Sequence, residues 1–303
     1  MVTVTDDGGS SGRLRRDFDV LPPGDIRNCM AALSQDETLL ARLFNYRFSG
    51  GRGLKGHSFG NLFLTAMTHL TGGDFPQAVK LSAEVLAVAG RIYPSTGANV
   101  SLEATLADGT VVSGESRIGR SKKRIAQVRL LPARVRPLGE TLRAIAEADL
   151  ITLGPGSLFT SIIPNLLVSG IPKAIAQSPA TKVYFANLMT QPGETLDFSV
   201  ADHAEAIRRH SGRYGASLID VCVVNSGQLG SSAILRYRAK SAQPVTVDAE
   251  RLQAAGIRTL SQDLVLKGGR RGQEKIRHDS SAIAAVAVEL AQEHRWKGKR
   301  VKS

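Results

Sequence analysis

The sequence is poor in cysteine, in aromatic residues and in acidic charge. Only Cys29 and Cys222 occur in 303 residues, far apart in the chain. That excludes a disulfide framework and a paired-cysteine zinc pattern. The expectation is two buried structural thiols in a reducing compartment, the cytoplasm by default. No apolar run approaches the ~18 residues of a membrane span, so none is expected. The first residues show no basic segment followed by an apolar core, so no signal peptide is expected either. Asp and Glu number 27 against 39 Lys and Arg, a net charge of +12. Such a surface attracts phosphates, nucleic acids or anionic membranes. Part of the excess, however, lies in Lys267–Lys275 and Arg295–Lys302, which read as solvated segments. Neither interleaves the aromatics of a stacking platform, so a nucleic-acid partner is not expected.

What is present is an ordinary globular composition, 42% hydrophobic and 22% charged. It suits one α/β domain over residues 1–303, with a β-rich insertion at about 97–132 and a basic tail at about 295–303. The chain opens on Met1-Val2-Thr3-Val4-Thr5, a predicted strand, followed by Asp6-Asp7-Gly8-Gly9-Ser10-Ser11-Gly12. Glycines in such a loop allow several N–H groups to face one anion. Asp6 and Asp7 suit a hydroxyl, a proton or a cation.

Helices are predicted from Asp25 to Leu33, Asp36 to Phe44, His57 to Leu70 and Pro76 to Ala89. Val100–Leu106, the Ala107-Asp108-Gly109 turn and Thr110–Val112 read as a hairpin, with Ile125–Leu131 a third strand and Ser116–Lys123 a basic loop. The α/β rhythm then resumes with a helix over Leu138–Glu147 and strand Leu150–Leu153. A helix with a break near Pro164 follows, then strand Lys173–Ala176, helix Ala201–His210 and strand Leu218–Val224. Alternating strands and helices predict a mostly parallel sheet covered on both faces. Ligands of such sheets bind beyond the carboxyl ends of the strands. This rule selects Asp6–Gly12, Gly154–Ser157 and Asn225–Gly227.

In Gly154-Pro155-Gly156-Ser157 the glycines permit close backbone approach, and Ser157 is placed to cap a helix whose N-terminus favours phosphate. The spacing is neither a Walker loop nor a dinucleotide fingerprint. His57 and Asn61 are four residues apart and share a helical face after a glycine-rich loop. They suit a phosphate or sugar hydroxyl, or equally a satisfied pair beneath the loop. Asp25, Arg27 and Asn28 cluster at a helix start, where Asp25 suits a cap and Arg27 is placed to reach Asp6 or Asp7. Asp279 or Ser280 suits the cap of the last helix. No catalytic residue and no metal ligand set is assigned by spacing.

These motifs occur together in one order. Asp6–Gly12, Pro22-Pro23-Gly24-Asp25-Ile26-Arg27-Asn28, Gly56-His57-Ser58-Phe59-Gly60-Asn61-Leu62, Ala148–Ile151 with Gly154–Ser157, and Arg277-His278-Asp279 all resemble the gluconeogenesis factor family. That family comprises UDP-sugar-binding relatives of 2-phospho-L-lactate transferase. The resemblance implies a Rossmann-like fold, a cytoplasmic location, and a role in carbon metabolism and cell morphogenesis under gluconeogenic growth. It also implies a UDP-sugar ligand such as UDP-N-acetylglucosamine without established turnover, and protein partners in envelope regulation; a homo-oligomer is compatible. It places Tyr237 and Arg277 in the UDP-sugar site, an aromatic ring under uracil and a guanidinium on diphosphate. The enzyme alternative is transfer of a phospholactyl group to a deazaflavin alcohol with magnesium, Asp6 and Asp7 being its candidates for metal or acceptor hydroxyl. Family members normally carry a strand, a Gly-Gly-Thr-Gly-type loop and a helix before the strand matching Val2–Thr5. The sequence begins after them, and the expectation is a true start further upstream.

Overall fold

The computed structural model describes residues 1–34, 39–121, 123–267 and 275–300, with the side chains of 294–300 left aside. The start of the predicted 36–44 helix, most of the basic 267–275 segment and the side chains of the basic tail therefore lie outside the described residues. Among the described residues no single helix is long and apolar enough to cross a membrane.

The N-terminal half is mainly helical: α1 (Gly9–Phe18), α2 (Gly24–Leu33), α3 (Leu39–Asn45), α4 (Phe59–Leu70) and α5 (Phe75–Val85). Caps set the starts of two of them. The Ser58 hydroxyl accepts from Asn61 N (3.2 Å), and Asp74 accepts from Gln77 N (3.0 Å). The inserted region follows as β1 (Ser101–Leu106), β2 (Val111–Ser113), α6 (Glu115–Ile118) and β3 (Ile125–Leu131). Its sheet is antiparallel in the order β2-β1-β3. The remainder runs α7 (Gly139–Ala146), β4 (Leu150–Leu153), a π-helical turn (Leu158–Ile162), α8 (Ile163–Leu166), α9 (Ile171–Gln177) and β5 (Thr181–Phe185). Then come α10 (Val200–His210), β6 (Val221–Asn225), α11 (Ser231–Arg238), α12 (Ala249–Ala254), β7 (Arg258–Gln262) and α13 (Ser280–Arg300).

Strands β4, β5, β6 and β7 form a parallel sheet in that order, with β4 at an open edge. Side chains alternate between its two faces, as a period of two requires. Tyr184, Cys222 and Val224 enter the main core with Ile171 and Ile175 of α9 and Ala204 and Ile207 of α10. Val183, Phe185, Val221 and Val223 enter a second cluster with Val286 and Leu290 of α13. This is the predicted α/β fold, with helices on both faces and a small β-insertion.

Several local expectations are corrected. Val2–Thr5 is extended but forms only one parallel bridge, Val2 to Pro94. Its partner is the irregular Arg91–Ser95 stretch, so no ladder develops. Gly9 already begins α1, so Gly9–Gly12 is helical rather than loop. Gly12 is there for space: a Cβ would collide with the Asp7 carbonyl oxygen. Glu115–Ile118 is a short helix that runs into the predicted Ser116–Lys123 loop. Lys173–Ala176 is not a strand but part of α9, whose Pro172 sits in the first helical turn. The strand lies later, at β5, where Val183, Tyr184 and Phe185 are all fully buried. Cys222 is buried as predicted, whereas Cys29 is half-buried at a cleft.

Candidate functional site

A cleft of about 610 Å³ runs along the open edge of β4 to its carboxyl end. Met1–Thr3 form the facing wall, α7 contributes Thr141, Ala144 and Ile145, and α2 contributes Asp25, Asn28 and Cys29. Gly154, Pro155 and Gly156 close one end. The structure thus brings together Asp25 and Asn28 with the Gly154 loop, 126 residues apart from Asn28 in sequence.

The Gly154 loop is built by residues that sequence reasoning missed. Gly154 has φ +73°, and a Cβ there would lie 3.1 Å from the Phe185 carbonyl oxygen. Only glycine accepts both conditions at the junction of β4 and β5. Asn187 Nδ2 donates to Gly156 O (3.0 Å) and Gln191 Nε2 to Ser157 Oγ (2.9 Å). Ser157 therefore does not cap the following helix. Glu194 does so from elsewhere, accepting from Phe159 N (2.9 Å) and the Thr160 hydroxyl (2.8 Å). The first amides of this helix are thus met by a buried carboxylate. Burial pushes the Glu194 carboxyl up, opposed by these hydrogen bonds. The signal lay in the Asn187-x-x-x-Gln191-x-x-Glu194 run, which nothing local ties to residues 154–160.

Beside the cleft lies a carboxylate group formed by Asp6, Asp25 and Glu115. Asp6 Oδ1 accepts from Gly8 N (2.8 Å), and Asp7 Oδ1 accepts from Ser116 N (2.8 Å). The Thr5 hydroxyl donates to Glu115 Oε2 (3.2 Å). The inserted region is therefore clasped onto the opening segment through Glu115 and Ser116. Gly24 abuts Asp6: a Cβ would collide with Asp6 Oδ2 and stand 2.5 Å from Ser11 Oγ. Burial, then the Asp25 and Asp6 charges, raise the Glu115 carboxyl to about 8. Burial and then Asp6 raise Asp25 to about 6, against the pull of Arg27. Glu115 was missed because it falls between the predicted Thr110–Val112 strand and the predicted Ser116–Lys123 loop, where no local pattern marks it.

Arg27 does not reach Asp6 or Asp7. Its guanidinium donates to Asn45 Oδ1 (3.0 Å) and Asn28 Oδ1 (2.5 Å). His57 and Asn61 face α1: His57 Nδ1 shares a 2.9 Å bond with Ser10 Oγ, and Asn61 Nδ2 donates to Ser11 Oγ at 3.4 Å. Gly8 and Gly9 lead into that helix. Tyr237 and Arg277 do not line the cleft. Tyr237 packs with Val265 and Ile276 against the second core cluster. Arg277 is exposed, its carbonyl accepting from Leu266 N (2.9 Å). Its neighbour His278 bonds Ala186 O (3.1 Å), directly beyond β5 and beside the Gly154 loop. Asp279 caps α13 as predicted, accepting from Ser281 N (2.9 Å) and Ala282 N (3.1 Å).

The Asp6 and Asp7 carboxylates turn to different backbone amides, and among the described residues no group of three or more His, Cys, Asp and Glu side chains is arranged to hold a metal ion.

A doubly covered parallel sheet with a glycine loop beyond its edge strand and a cleft along that strand defines the class, an α/β protein of the Rossmann-like kind. The family model described as 2-phospho-L-lactate transferase CofD matches residues 1–265. The gluconeogenesis factor of Bacillus subtilis is 47% identical over 293 residues, 97% of this chain and 90% of that protein. That of Halalkalibacterium halodurans is 44% identical, covering 95% of this chain and 87% of its own. A 48% identical relative from Nostoc is longer, and the chain spans 62% of it. A crystal structure from Bacillus halodurans superposes with TM-score 0.90 at 44% identity, over 95% of this chain and 90% of that one. The chain belongs to the 2-phospho-L-lactate transferase CofD family, among its gluconeogenesis-factor members.

Proposed function

We infer that this chain is a regulatory protein that binds a UDP-sugar, UDP-N-acetylglucosamine being the first candidate, and acts in the cytoplasm in growth on gluconeogenic carbon sources and in cell shape. The observation that carries this reading is the meeting of Asp25, Asn28 and the Gly154–Gly156 backbone on one cleft of about 610 Å³. That volume lies within the range of small-molecule sites, about 300–1,000 Å³. Asp6 neighbours Asp25 of that cleft, and Asp6 and Ser11 stand against Gly24, one residue before it. His278, next to Arg277, bonds Ala186 O just beyond β5, and Gly154 stands against Phe185 O at the end of that strand. The resemblance gives the diphosphate to Arg277 and the uracil to Tyr237; both stand outside the cleft lining, so this part of the reading rests on the family and not on the cleft.

Titration calorimetry with UDP-N-acetylglucosamine tests it. Saturable heat is expected, and Arg277→Ala should weaken binding by about 1–3 kcal/mol, the scale of a charged hydrogen bond. No heat with the wild-type chain overturns the reading. The second reading, phospholactyl transfer, is favoured by the description of the matching family model. Product formation from a phospholactyl nucleotide and a deazaflavin alcohol would establish it.

A further inference from the structure

A second cavity, of about 410 Å³, includes none of the Gly154 loop in its lining. It is walled by α5, by residues 87–94 and by the start of α7. The stripe of α5 that carries Ala78, Val79 and Ser82 is buried. A different stripe, with Lys80, Ala83 and Glu84, faces this cavity. Val88, Ile92 and Leu138 add aliphatic surface. Tyr93 lines both this cavity and the cleft along β4.

One wall residue is strained. Ala87 has φ +46°, the left-handed region. It closes α5 in a Schellman turn, Ala87 N donating to Glu84 O (3.1 Å) and Val88 N to Ala83 O (3.0 Å). Glycine takes such a place freely, whereas a Cβ costs free energy there. The methyl that causes this cost lines the cavity. Strain of this kind persists where the surroundings make use of it. The charges around the cavity are mixed. Lys80 and Glu84 stand one turn apart on α5, while Arg91 hydrogen-bonds the Tyr93 side chain and lies near Glu140 of α7. Among the described residues none of these four charged groups forms an ion pair. A ligand of one sign would meet a like charge beside each opposite one and gain little. A ligand that carries both signs finds a partner for each.

We propose that this cavity binds an aliphatic α-amino acid as its zwitterion. Lys80 and Arg91 take the carboxylate, and Glu84 and Glu140 take the ammonium group. The aliphatic side chain covers Ala83, Ala87, Val88 and Leu138. The volume lies within the range of small-molecule sites, about 300–1,000 Å³. The site is separate from the nucleotide-sugar cleft and does not rest on that reading, although an amino acid bound here touches Tyr93, a residue of the cleft wall.

The probe is L-leucine, titrated into the full chain and followed by ligand-observed NMR and calorimetry. Saturable binding is expected. The analogue without the ammonium group, 4-methylpentanoate, and the one without the carboxylate, 3-methylbutylamine, should each bind at least ~10-fold more weakly, the scale of one lost hydrogen bond to a charged group. Glycine, which has the charges but no aliphatic body, should not compete. Lys80 and Glu84 are exposed, so the Lys80→Gln/Glu84→Gln variant should keep its circular dichroism while losing at least ~10-fold in leucine affinity. Arg143→Gln, exposed on α7 outside the cavity lining, should bind as wild type. A wild-type chain without saturable leucine binding overturns the proposal. So do analogues that bind as well as leucine, or a folded double variant that binds it unchanged. Absence of leucine binding together with a dimer in sedimentation that the double variant breaks would give the cavity to a second copy of the chain instead. Leucine binding is read without any nucleotide sugar, so either reading can fail while the other stands.

Discussion

Replacing Glu115 with Gln should alter how stability depends on pH. The folded carboxyl titrates near 8 against an ordinary value of 4.5. A raised acid binds its proton more tightly in the folded state. Stability from this group is therefore fully present below about 4.5 and is lost as pH rises through about 8. In that window each pH unit removes a little over ~1 kcal/mol per proton retained. The whole window would amount to about 5 kcal/mol. Partial solvent exposure and the sharing of charge with Asp6 and Asp25 reduce this to about 2 kcal/mol. Urea unfolding at pH 5, 7 and 9 measures it. The Glu115→Gln protein should match wild type at pH 5 and exceed it by about 2 kcal/mol at pH 9, because glutamine keeps an acceptor for the Thr5 hydroxyl without the charge. Parallel pH profiles for the two proteins would refute the carboxylate cluster as the source. The raised Asp25 carboxyl, near 6, contributes in the same direction and remains in the variant, so some slope below pH 6 should persist.

Gly60→Ala should destabilise the fold by about 1–3 kcal/mol through overpacking, since the new methyl lies 2.6 Å from the Phe44 carbonyl oxygen, which cannot yield. The gain in helix propensity, about 1 kcal/mol, recovers only part of this; a thermal midpoint at or above wild type in calorimetry contradicts the packing. Phe185→Ala empties a fully buried position between β5 and α13 and should cost about 3–5 kcal/mol in urea titration. A loss below about 1 kcal/mol would mean that α13 does not cover this face as described.

Much of the local structure was legible because it rests on short-range rules. Asp279 announces a helix start through a side chain that reaches amides two and three residues on. Ile125–Leu131 alternates and is a strand over that whole range. Lys173–Ala176 reads as a strand because Ile175 and its alanines suit either period, whereas Pro172 in the first turn fits the helix that forms. Asp6, Asp25, His57 and the Gly154 loop stood out as polar or glycine-rich breaks at element ends. Their partners did not. Glu115, Asn187, Gln191 and Glu194 act on residues 31 to 110 positions away, and no local spacing encodes such pairings.

The sequence by itself determined the α/β class, the insertion, the basic charge and the family, because periodicity, turn chemistry and ordered motifs are read along the chain. The tertiary structure alone decided that Glu194, rather than a ligand, satisfies the amides after Ser157, and that Arg27 turns to Asn45 and away from Asp6. The physical reason is the same in each case. A buried donor, acceptor or charge must be matched by whatever the fold carries to it, and that is set by packing in three dimensions.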